Sequence, residues 1–127
     1  MYSQALIRKS SAVERLLHST KAGRIAWQPS GFERKCDNWE IAFVAKFEGK
    51  VITVARKHSI EYGGWISRTV TTLTVASGSD VVLNESYSTD RDYVETLDLS
   101  GVLAVSDLAS HVLDLFRAEL NLHWSVM

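Results

Sequence analysis

Trp39-Glu40-Ile41-Ala42-Phe43-Val44-Ala45-Lys46-Phe47 is the stretch that decides the fold. Apolar residues stand at every second position, with Trp39, Ile41, Phe43, Ala45 and Phe47 on one side and Glu40, Ala42, Val44 and Lys46 on the other. A period of two is the period of a β-strand, and the contrast between the two sets marks a strand with one buried face. That face must be covered by something apolar.

The next residues extend the reading. Glu48-Gly49 suits a tight hairpin, because glycine takes positive φ without steric cost. Residues 51–56 then return as a second strand. Residues 69–76 are dominated by Thr and Val, whose branched Cβ atoms fit a pleated surface. Ser77-Gly78-Ser79-Asp80 makes a turn into residues 81–86, a further hairpin. Upstream, Ile25 and Trp27 alternate with Arg24, Ala26 and Gln28, and Pro29-Ser30-Gly31 reads as the turn that closes this first short strand. Five strands with no helix between them predict an antiparallel meander, since parallel strands need long crossovers.

Helices are expected at both ends. Ala5, Leu6, Ala12, Val13, Leu16 and Leu17 trace one stripe with a period near 3.6 over residues 5–20. Ser11 with Glu14 fits a capping box, so Ala12 is an alternative start, and Gly23 supplies the stop. A second helix begins at Ser106 or Asp107 and runs to about residue 121. Its Leu108, Ala109, Val112, Leu113, Leu115, Phe116 and Leu120 cover more than one stripe. It is therefore either sandwiched between the sheet and the first helix or shared with a second copy of the chain. The expected fold is α+β, one domain over residues 1–127, with an N-terminal helix, a five-stranded antiparallel meander and a C-terminal helix packed on the sheet.

Composition narrows the function classes. An apolar share of 46% with 23% charged residues is that of a globular chain. No apolar run approaches the roughly 18 residues that span a bilayer, and residues 1–9 lack the pattern of a secretory signal, so the expected location is the cytoplasm. Cys36 is the single cysteine, which excludes an internal disulfide and a thiolate metal cluster. A net charge of −1 argues against general nucleic-acid binding. The charge is polarised along the chain: residues 1–68 carry 12 Lys and Arg against 6 Asp and Glu, and residues 69–127 carry 2 against 9. Such a chain favours self-association or an oriented charged partner, unless the two halves interleave in the folded sheet and cancel; with the surplus apolar surface of the last helix beside the polarised charge, a homodimer is expected.

Catalytic motifs are missing from the sequence. His18, His58, His111 and His123 form no ligand pair of metalloprotease type, and neither a Gly-rich phosphate loop nor a nucleophile elbow occurs. No catalytic residue, metal or cofactor is therefore assigned. Residues 57–68, Lys-His-Ser-Ile-Glu-Tyr-Gly-Gly-Trp-Ile-Ser-Arg, read as a twelve-residue link where about two to five would serve. Long loops carry function disproportionately. Tyr62 and Trp65 offer faces for stacking, while Lys57, His58 and Arg68 can meet an anion, so these five are the candidate ligand-binding residues. The alternative is that Ile60, Tyr62, Trp65 and Ile66 extend the hairpin and pack on the core. Residues 87–98, acidic and rich in hydroxyls, either complement this basic segment or simply connect the last strand to the last helix.

Leu16-Leu17-His18-Ser19-Thr20-Lys21-Ala22-Gly23-Arg24-Ile25-Ala26-Trp27 resembles a family of small, uncharacterised bacterial and phage α+β proteins that open with a helix, a Thr-Lys-x-Gly turn and a strand bearing Trp. The resemblance implies the order of elements and no activity. The functional expectation is a non-catalytic binding module, oligomeric, engaging a small anionic ligand or a protein partner through residues 57–68. An immunity, adaptor or anti-defence factor is one alternative, and a small hydrolase or isomerase is a second.

Overall fold

The computed structural model describes residues 4–35, 38–61, 66–91 and 105–125. The chain runs α1 (Gln4–Lys21), β1 (Gln28–Lys35), β2 (Asn38–Phe47), β3 (Lys50–Glu61), β4 (Ile66–Ser77), β5 (Asp80–Arg91) and α2 (Val105–Ser125). The five strands form one sheet in the order β1-β2-β3-β4-β5, antiparallel at every pairing. It is the meander expected from the sequence, with a helix on either side of it in chain order and α2 packed on the sheet.

Parity sets which face of the sheet is buried. On β2 the side chains of Trp39, Ile41, Phe43 and Ala45 are buried and those of Glu40, Ala42 and Val44 are half-buried. The register carries the buried set across to Ile52 and Val54 on β3 and to Leu73 and Val75 on β4. This inner face is roofed by α2, which contacts β3, β4 and β5 and also packs against α1. Leu108, Ala109, Val112, Leu113, Phe116 and Leu120 of α2 are all buried, as are Val13, Leu16 and Leu17 of α1. The two-sided apolar surface of α2 is thus consumed within one chain, between sheet and α1. Arg117 of α2 bonds Glu14 of α1 at 3.0 Å and Asp114 at 2.7 Å, a polar seam along the solvent side of the helix pair.

Several boundaries differ from the sequence expectation. The first strand is Gln28–Lys35 and not residues 24–28, so Pro29-Ser30-Gly31 lies within a strand. A register shift between Pro29 and Gly31 accommodates it, and β1 is an edge strand, where proline's missing N–H costs no ladder bond. Ile25 and Trp27 are buried all the same, in the segment that leaves α1. The second correction concerns residues 57–68: β3 continues to Glu61 and β4 starts at Ile66, so most of the expected link is hairpin. Polar residues at inward positions hid that continuation. Finally, β5 runs on to Arg91, and α2 extends from Val105 to Ser125. α1 starts at Gln4, so Ser11 and Glu14 are inside the helix and form no cap.

The Leu16–Trp27 motif closes α1. Arg24 N–H donates to Ser19 O at 2.9 Å and Gly23 N–H to Thr20 O at 3.1 Å, the paired bonds of a Schellman cap, with Gly23 at φ 74°. Thr20 Oγ1 donates to Leu16 O at 2.6 Å and accepts from Trp27 Nε1 at 3.0 Å. One buried hydroxyl thereby ties the last turn of the helix to the segment after it. At the other hairpin, Glu48 and Gly49 both have positive φ, 54° and 76°, as a two-residue turn of type I′ requires.

Candidate functional site

On β3 and β4 half of the inward positions are polar. Moving along β3, the inward positions read Ile52, Val54, Arg56 and His58, and along β4 they read Val75, Leu73, Thr71 and Thr69. Arg56 lies opposite Thr71 and His58 opposite Thr69, so two polar rows follow two apolar ones without any change of strand parity. Arg56 is 1% exposed and His58 is fully buried.

Arg56 is held from two sides. Arg56 Nη1 donates to Thr71 Oγ1 and, at 2.7 Å, to Glu119 Oε1 on α2. Glu119 is itself 8% exposed, and its Oε2 is buried without a hydrogen-bond partner among the described residues. Removing a guanidinium and a carboxylate from water costs several kcal/mol each, which only close pairing and additional hydrogen bonds offset. This pair therefore contributes position more than stability: it fixes α2 over β3 at one register.

One row further on, His58 Nδ1 lies 2.9 Å from Thr69 Oγ1, and its ring stacks on Trp39 with centroids 5.7 Å apart and planes 21° from parallel. Trp39 is opposite His58 in the β2–β3 register. These two rings form the floor of a cleft of about 150 Å³ whose remaining walls are Glu33, Asn38 and Glu40. Asn38 accepts a hydrogen bond from Ile60 N–H at 2.8 Å, which holds the start of β2 against β3 at the cleft's edge. Glu33 and Glu40 are directly opposite one another in the β1–β2 register. The register puts Glu33 and Glu40 on the outer face of the sheet and the two rings on the inner face, so the carboxylates edge the recess while the rings back it, an arrangement that suits a compact group carrying positive charge.

Of the five residues singled out from the sequence, the three that are described divide between the two faces of the sheet. His58 faces inward at the cleft floor, while Lys57 is exposed on the opposite face. Arg68 is half-buried on β4, opposite Ser59, and shares the outer face with Lys57. The register sets Lys57 opposite Glu40 and Arg68 opposite Asp90, so each cation has an acidic cross-strand neighbour. Tyr62 and Trp65 lie outside the described residues, as do Cys36 and residues 92–98 of the acidic segment. His18 and His111 are exposed on α1 and α2. Among the described residues no three His, Cys, Asp or Glu side chains are grouped so as to hold a metal ion, and no helix is long and apolar enough to cross a membrane.

Arg56, Thr69, Thr71 and Glu119 carry the polar interior and were not singled out in the sequence. A signal for them existed. Arg56 and His58 have the parity of Ile52 and Val54, Thr69 and Thr71 have that of Leu73 and Val75, and Glu119 stands three and seven residues after Phe116 and Val112. No known protein family, curated protein or solved structure matches the chain.

Proposed function

We propose that the chain is a non-catalytic binding module that takes a small ligand at the Trp39–His58 cleft. The observation that supports this reading is the cleft itself: a fully buried imidazole, stacked on an indole, forms the floor of an opening rimmed by Glu33, Asn38 and Glu40. At about 150 Å³ the recess is below the roughly 300–1,000 Å³ of pockets that enclose a drug-sized molecule. It suits a single functional group, and the carboxylates favour a primary ammonium or guanidinium. The rigid backing is the Arg56–Glu119 pair, which locks α2 above the same strands.

The anionic form of the reading depends on Lys57 and Arg68, and the acidic neighbours of both in the strand register weaken it. Nuclear magnetic resonance titration of the labelled protein discriminates the two. Methylguanidinium and butylamine at millimolar concentration are expected to shift the Trp39 indole N–H and the His58 ring resonances. The shifts are expected to vanish in a Glu33→Gln, Glu40→Gln double variant. Shifts with phosphate or acetate instead would move the ligand to the anionic class, and silence with all four probes would sink the module reading.

A further inference from the structure

The outer face of the sheet is small and uncharged in its middle rows: Ala42 and Ala55 lie side by side in register, as do Val44 and Thr53, followed by Thr72 and Thr74 on β4. All six are half-buried, whereas their inward neighbours are buried under α2. Among the described residues the exposed large apolar side chains are Val51, Val81 and Val82, and all three lie at one end of the sheet. Val51 is in register with Ala76 and Ala76 with Val81 on this outer face. Val51 and Val81 thus extend a flat, small-residue surface that a protein partner can cover.

Charge placement selects the partner. On β2 the outward positions read Glu40, Ala42, Val44 and Lys46, acidic at one end and basic at the other. We propose that two copies of this chain stack through this face about a two-fold axis lying perpendicular to the strands and passing over Phe43, so that Glu40 of each copy meets Lys46 of the other. The same axis sets Ala42 over Val44, Ala55 over Thr53, Val70 over Ala76, and the aliphatic stem of Lys57 over Val51. The other in-plane axis, along the strands between β3 and β4, sets Lys46 over Val81 and Lys57 over Val70 and gives neither Glu40 nor Lys46 an opposite charge. Electrostatics therefore favours the first.

The area is sufficient. Five strands about 4.8 Å apart, overlapping over some eight residues at about 3.4 Å each, give a footprint on the order of 650 Å² per copy. Surface roughness raises the accessible area removed toward the roughly 800 Å² per partner of a standard stable interface. Stacked sheets about 10 Å apart bring Glu and Lys side chains within mutual reach. Glu40 is shared between this face and the edge of the cleft, whereas His58 and Trp39 face the other side of the sheet, so Ala55→Arg is the variant that reads the dimer face without touching the cleft.

Light scattering on a sizing column at micromolar concentration is expected to give twice the 14.2 kDa of the chain. Glu40→Lys and Lys46→Glu each place like charges together and are expected to weaken dimerisation at least about tenfold. The double exchange, Glu40→Lys with Lys46→Glu, restores opposite charges and is expected to recover the dimer. Ala55→Arg, at a half-buried outward position, is expected to give a monomer with unchanged circular dichroism. A monomeric wild-type protein overturns the proposal. So does a dimer that tolerates the single reversals or Ala55→Arg, or a double exchange that fails to reassemble.

Discussion

Arg56 on β3 and Glu119 on α2 meet at 2.7 Å in the interior, 63 residues apart in sequence and nearly dry. A buried ion pair loses most when one partner alone is removed. Glu119→Leu is expected to destabilise the fold by about 3–5 kcal/mol because it strands the guanidinium. Arg56→Met combined with Glu119→Leu is expected to recover most of that loss. Urea unfolding followed by circular dichroism measures both, and a double variant no more stable than the single would refute the account.

Thr69 offers a smaller test at the cleft floor. Thr69→Val keeps the shape and deletes the hydroxyl at 2.9 Å from His58 Nδ1. The expected cost is about 1–3 kcal/mol in the same unfolding assay. The His58 ring resonance is expected to broaden or shift, since its orientation against Trp39 is then less constrained.

The clasp after α1 predicts a coupling. Thr20→Val leaves a buried indole N–H without its acceptor, and Trp27→Phe removes the N–H itself. A double-mutant cycle is therefore expected to be non-additive by about 0.5–3 kcal/mol, with the pair less damaging than the sum. Additivity would show that the hydrogen bond contributes nothing.

Two glycines are predicted to behave in opposite ways. Gly23 has φ 74° and open space where a methyl group would stand, so its change to Ala is expected to cost about 1–2 kcal/mol through backbone strain alone. Gly31 lies in strand β1 with no positive φ, and an added Cβ would sit 3.7 Å from Ala42 Cβ, ordinary contact. Gly31→Ala is expected to raise stability by about 0.5 kcal/mol, read as a higher melting temperature.

The layout of the fold was legible because hydrophobic parity was strong where strands carried Trp, Ile, Phe and Val, as in residues 39–47 and 51–54. Legibility failed where inward positions became polar. Arg56, His58, Thr69 and Thr71 continue the alternation geometrically while breaking it chemically, so a hairpin read as a loop. Pro29 failed for a different reason: an edge strand tolerates what an inner strand rejects, and edge status is a property of the whole sheet. Of the candidate site, His58 was found, but its partners were not. Trp39 and Thr69 lie opposite it on two different strands, and pairing across such distances is set by register and packing that local spacing does not encode.

The order in which the layers occur along the chain has a consequence for biosynthesis. All five strands precede α2, so a nascent polypeptide exposes Ile41, Phe43, Val54 and Leu73 as a finished or nearly finished greasy surface before its roof has been translated. Sticky intermediates of this sort aggregate or recruit chaperones. The interior arginine tempers that hazard: until Glu119 arrives, a charge in the middle of the platform keeps it wet.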